Sequence, residues 1–168
     1  MIGTKLYKGK YTNKEYADLA VWCNQNNATI EDKGEYYECV AIPAPSLEEV
    51  KAEKVVEMKV ERDRIQELPI EYNGKFFDYN KESLQKLNEA KDCLEGTEDI
   101  QIWICADNSL TYLNYNDIMA IKRLGKERSN NVHIQYAKLK YLIEMAKTAE
   151  EVEEITFETD TSTIPLEV

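Results

Sequence analysis

Apolar and polar residues alternate along this chain with periods that change several times, and each change marks an element. After a mildly basic, extended start with Lys5, Tyr7, Lys8, Lys10 and Tyr11, the run Thr12-Asn13-Lys14-Glu15 has the form of a capping box. In such a box the threonine hydroxyl and the glutamate carboxylate each satisfy an orphan backbone donor. Tyr16, Leu19, Ala20 and Cys23 follow at helical spacing, which predicts a short amphipathic helix over 13–26, ended by Asn24, Asn26 and Asn27. A hairpin is expected next: 28–30, a polar turn at 31–34, then 35–41, with Pro43 and Pro45 closing the module.

Ser46-Leu47-Glu48-Glu49 reads as a second capping box and opens a predicted helix to about Leu68. Its apolar residues Leu47, Val50, Val55, Met58, Ile65 and Leu68 are thinly spread among charges. One narrow buried stripe suits a connector, or a helix lying against another. Asn73-Gly74 between Pro69–Tyr72 and Lys75–Asp78 is the strongest hairpin signal, because both residues accept the positive φ of a type I′ turn. A helix at about 81–94 carries Leu84, Leu87, Ala90 and Leu94 on one face. The nearly continuous apolar run Ile100–Ala106 predicts a buried strand, turned back by Asp107-Asn108-Ser109 into Leu110–Leu113.

Asn114 and Asp117 are placed to cap a long helix over 115–147. Its expected core face is Ile118, Ile121, Leu124, Arg128, Val132, Gln135, Leu139, Leu142 and Ala146. Gly125 and the Ser129-Asn130-Asn131 patch are expected to bend or interrupt it. Thr148 caps a last short helix to Ile155, and the rest is β-prone and polar. The expected fold class is therefore α+β, two small antiparallel β units with packed helices joined by a charged connector helix. The boundaries are 1–45 for the N-terminal unit, 46–68 for the connector, 69–156 for the C-terminal domain and 157–168 for an acidic extended tail.

Charge changes this picture chiefly by exclusion. Thirty-two acids against 21 bases give a net charge of −11 over 168 residues, and no basic stripe offers itself to nucleic acid. Residues 144–168 hold eight acids and one base, so −7 of the −11 lies there. No apolar run is long enough to span a membrane, and the N-terminus lacks an apolar signal core, so a soluble cytoplasmic protein is expected.

Catalytic, metal-binding and cofactor-binding residues are all expected to be none. Cys23, Cys39, Cys93 and Cys105 form no Cys-x-x-Cys pair, and are read as small core hydrophobes of a reducing compartment. His133, the single histidine, lies mid-helix without a nearby nucleophile. The six glycines never cluster into a phosphate-cradling loop, and Asp107-Asn108 lacks calcium-loop spacing. Trp103 with Asp107 and Asn108 is the first place to look for a polar pocket.

Eleven tyrosines suit a docking surface, since Tyr joins large contact area to a polar tip at small entropic cost. The residues expected to bind partners are Tyr36, Tyr37, Tyr112, Tyr115, Phe157, Ile164 and Leu166.

A resemblance sharpens the expectation. The lead-in ERDRIQELPI, the hairpin EYNGKFFD, the helix KESLQKLNEA, the strand IQIWICAD, the segment NSLTYLNYNDIMAI and the helix HIQYAKLKYLIEMAKTAEEVEEI occur in this order. Together they resemble an uncharacterised domain family common in tailed-bacteriophage and prophage tail genes, over about residues 60–156. The stretch from Tyr16 to Lys54 is similar in layout to small phage tail-gene proteins. The resemblance implies the company of tail fibres, baseplate parts and their assembly factors. With no catalytic motif in the sequence, the expected function is that of a non-enzymatic tail-associated protein, either a tail-tip or fibre-region component or a fibre-assembly accessory. Its partners would be fibre or baseplate proteins, or further copies of itself. It would be made in the bacterial host cytoplasm and carried in the virion tail. The alternative is a small acidic inhibitor of a host defence protein that mimics nucleic-acid charge.

Overall fold

The computed structural model describes residues 1–96 and 98–165. The fold is α+β, and the chain divides into two compact units, Met1–Ser46 and Leu47–Val168.

The first unit contains β1 (Lys5–Tyr7), α1 (Asn13–Gln25), β2 (Ala28–Asp32) and β3 (Tyr36–Ala41). Thr12 and Glu15 form the capping box, with the Glu15 carboxylate accepting from the Thr12 N–H at 2.7 Å. The sheet is antiparallel in the order β1-β3-β2. Pairing of β1 with β3, Lys5 opposite Glu38 and Tyr7 opposite Tyr36, has no hairpin turn to announce it in the sequence. The core is small: Leu19, Cys23, Ala28 and Cys39, with Leu6, Trp22 and Ile30 packed around them.

The second unit contains α2 (Leu47–Gln66), β4 (Ile70–Tyr72), β5 (Lys75–Phe77), α3 (Lys81–Asp92), β6 (Gln101–Ile104), β7 (Leu110–Leu113), α4 (Tyr115–Met145) and α5 (Ala149–Glu153). Both hairpins are two-stranded and antiparallel. Asn73 and Gly74 take φ of 50° and 71°, the left-handed conformation the β4–β5 turn demands.

Two cores organise this unit. One gathers Ile70, Phe77, Leu87, Cys105, Leu113, Ile118 and Ile121 from both hairpins, α3 and α4. The other joins Val50 and Met58 of α2 to Leu139 and Ile143 of α4 and to Val152 and Ile155. The helix read as a connector is thus the first element of the second unit, where its narrow stripe lies on α4. Lys54 sits in that stripe, only 6% exposed. Its ammonium donates to the Glu57 carboxylate at 3.1 Å and to the Glu153 carbonyl at 3.4 Å. Burial of a lysine is tolerated because such partners replace the lost water.

Three expectations are corrected. Helix α4 runs uninterrupted from Tyr115 to Met145. Gly125 does not bend it; the residue makes room for the Tyr79 ring, which would collide with any side chain at that position. The strand expected to be buried, β6, covers only one of its faces: Ile102 is 59% and Ile104 62% exposed. Finally, Cys93 is exposed and is not a core residue.

Residues 156–165 do not stand off as an extended tail. Gln135 on α4 donates its amide to the carbonyls of Phe157 (3.1 Å) and Thr159 (2.9 Å) and accepts from the Thr161 hydroxyl. Lys138 donates to the Thr161 carbonyl at 3.0 Å, and Thr161 is buried. These bonds hold residues 157–161 on α4.

Candidate functional site

The β6–β7 hairpin is built from two apolar strands with period-two alternation, so one set of side chains faces each side. Trp103, Cys105 and Leu113 point into the core made with Leu87, Ile118 and Ile121. The opposite set consists of Ile102 paired with Tyr112 and Ile104 paired with Leu110. Ile102, Ile104, Leu110 and Tyr112, with Ile100 just before the strand, are each about 60% exposed. Cross-strand neighbours lie close enough to form one continuous patch. The hairpin from Ile100 to Leu113 carries a single charged residue, Asp107, in its turn.

The turn is firmly made. Asp107 accepts from the Ser109 N–H at 2.9 Å, Asn108 takes φ of 63°, and Cys105 donates to the Ser109 carbonyl. Hydrogen bonds from Ser109, its hydroxyl first and its backbone N–H next, hold the Asp107 carboxyl below the usual carboxylate range, with help from the Lys75 charge. Lys75 also reaches the Ser109 hydroxyl and the Leu110 carbonyl, and the Ala106 N–H donates to the Phe76 carbonyl at 2.8 Å. Phe76 itself is 50% exposed. The neighbouring hairpin therefore braces the turn without covering the apolar face.

A groove of about 330 Å³ runs beside the hairpin, lined by Trp103 and Asn108 together with Asp78, Ser83 and Lys86. Trp103 and Asn108 are thus brought together there. Asp107 lies outside the lining, spent on the turn. Among the described residues, no group of three or more His, Cys, Asp or Glu side chains could hold a metal ion. Among them also, no helix is long and apolar enough to cross a membrane.

The tyrosines proposed from sequence fall in different settings. Tyr37 packs edge-on against Tyr11 (5.9 Å) and against Tyr16 of α1 (5.4 Å), and Tyr36 packs against Tyr7 (5.4 Å). Lys5 lies 4.6 Å from the Tyr36 ring centre and Lys8 4.9 Å from that of Tyr37. Both tyrosines are half-buried and already have partners within their own unit. Tyr112 stands in the exposed hairpin patch, and Tyr115 opens α4 at 38% exposure. Phe157 is half-buried against the α2–α4 core, and Ile164 is half-buried. Leu166 lies outside the described residues.

Sequence reasoning found Tyr112 and missed the isoleucines and leucine around it. An unbroken apolar strand reads as buried on both faces. The available signal was a count of elements: α3 and α4 cover one face of the hairpin, and α2 and α5, the other described helices of the unit, pack on the far half of α4.

No curated protein and no solved structure matches the chain. Residues 49–159 match the family described as Domain of unknown function (DUF4376), and with that span running from α2 through α5 the chain belongs to this family.

Proposed function

We propose that the protein is a non-enzymatic, tail-associated protein of a bacteriophage or prophage, a tail-tip or fibre-region component or a fibre-assembly accessory. It acts by seating the open face of the β6–β7 hairpin on another tail protein. The observation that carries the docking is the uncharged apolar face of Ile100, Ile102, Ile104, Leu110 and Tyr112 on a chain of net charge −11. Contiguous apolar patches of several hundred Å² on soluble domains mark interaction sites. The tail association is supported by the likeness of residues 60–156 to a domain of tail genes. The acidic surface elsewhere keeps the free protein soluble until the patch is covered.

The test uses purified, salt-washed particles of the phage or prophage that encodes the chain. Mass spectrometry is expected to find it at a fixed ratio to a known tail protein. The double variant Ile102→Lys with Leu110→Lys is expected to melt as the parent does and to be lost from particles. Absence of the parent from particles removes the component reading. It leaves the assembly accessory, which a pull-down of fibre protein from infected cells then has to support. Retention of the charged variant refutes the hairpin as the docking face.

A further inference from the structure

The first unit raises a question that its size makes acute. Forty-six residues bury little surface, and units near this size usually draw on disulfides, metals or partners for stability. Only four side chains form its buried core, and two of them are cysteines. Cys23 occupies the last turn of α1 and is 2% exposed; Cys39 lies on β3, the central strand, and is fully buried. Their Sγ atoms are 3.2 Å apart. A disulfide bond is about 2.05 Å long, so an approach of roughly 1 Å would close it. Both thiols are free, and α1 is joined to the sheet through its chain connections to β1 and β2.

We infer that Cys23 and Cys39 are a built disulfide site, a staple between the end of α1 and the central strand of the first sheet. The reaction is thiol–disulfide exchange with a small disulfide donor such as oxidised glutathione. The thiolate of one cysteine attacks the donor, releasing one reduced glutathione and leaving a mixed disulfide. The second cysteine, as thiolate, attacks the protein sulfur of that mixed disulfide and releases the second glutathione. Two protons leave the protein thiols, and two electrons pass to the donor. Burial, and the neighbouring Cys39, push the Cys23 thiol above its ordinary pKa, so thiolate is scarce in the closed unit. The bond therefore forms while the unit folds or opens, and once formed it is shielded from reductant. The other two cysteines are differently placed: Cys93 is exposed, and Cys105 belongs to a core of the second unit.

The full chain is unfolded in urea and refolded in a mixture of oxidised and reduced glutathione. It is then quenched in acid, alkylated, and digested without reduction. The expected product is a Cys23–Cys39 linked peptide, with Cys93 and Cys105 alkylated; dithiothreitol added to the digest should free the Cys23 and Cys39 thiols alone. Alkylated Cys23 and Cys39 in oxidising buffer would overturn the inference. So would glutathione adducts that never resolve, or a dominant link to Cys93 or Cys105. A second measurement compares trypsin cleavage within residues 1–46 of the linked and the reduced chain. Closing a loop of this length is expected to slow cleavage by at least about tenfold. Equal rates would show that the bond does not staple the unit.

Discussion

Helix α2 and the β6–β7 hairpin reverse what their compositions suggest. The helix carries charges at more than half of its positions, yet it buries Val50 and Met58 against α4 and α5, with Lys54 buried in the same stripe. The hairpin has one charge in 14 residues, yet leaves an entire face open. Burial follows from whether a partner surface exists, and composition only says how much is gained by finding one. The helix has α4 along its length; the hairpin has a partner on one side alone.

The contrast predicts effects of very different size. Leu139 is fully buried where α4 meets α2, so Leu139→Ala should cost about 2–5 kcal/mol by urea unfolding. Ile104→Ala in the open face should change stability by no more than about 0.5 kcal/mol. Comparable losses at the two sites would mean that the hairpin face is covered in the free protein.

A smaller effect is expected where α4 accommodates Tyr79, whose hydroxyl donates to the Lys122 carbonyl at 3.2 Å. Gly125→Ala ordinarily stabilises a helix interior, but here the new methyl meets the ring. The net expectation is a loss of about 1–3 kcal/mol, partly recovered when Tyr79→Leu is combined with it. A gain in stability from Gly125→Ala alone would show that the ring moves freely.

The smallest effect concerns pH and sharpens the hairpin side of the comparison. Asp107 has its pKa lowered from 3.8 by its bonds to Ser109. A depressed carboxyl contributes stability above its unfolded value, and that contribution disappears as pH falls through the folded value. The protection factor of the Ser109 amide, its exchange rate corrected for the intrinsic pH dependence, should therefore fall in acid below that range. Asp107→Asn keeps a turn acceptor and should abolish this pH dependence; an unchanged acid response would place its origin elsewhere.

Much of the architecture was legible because its signals are local. Thr12 and Asn114 cap their helices by reaching three residues ahead, and Asn73-Gly74 sets a turn by its own backbone preference. What escaped depends on partners distant in sequence. Strand β1 pairs with residues more than 25 positions away, and Gly125 answers to a tyrosine 46 positions earlier. Arg128 and Gln135 fall on the expected core face of α4. Arg128 donates to the carbonyls of Gln66 (2.7 Å) and Pro69 (3.1 Å), closing the end of α2, and Gln135 holds residues 157–161. Polar residues in a core stripe were the trace of those backbone contacts, but the stripe does not say which carbonyls they seek. For the docking surface, Tyr112 was legible by type, whereas the exposure of Ile102, Ile104 and Leu110 depends on which faces the helices leave open.

The anchoring of Lys54 also bears on synthesis. Its backbone acceptor, the carbonyl of Glu153, lies 99 positions later, and the core around it draws on residues 139–157. On the ribosome, α2 emerges long before either exists. Until then Val50 and Met58 have no surface to cover them, and the Lys54 ammonium must remain in water. The core between α2, α4 and α5 consequently closes late, in a long-range step that waits for residues up to Ile155. During that interval the apolar stripe of the nascent helix is open to wrong partners.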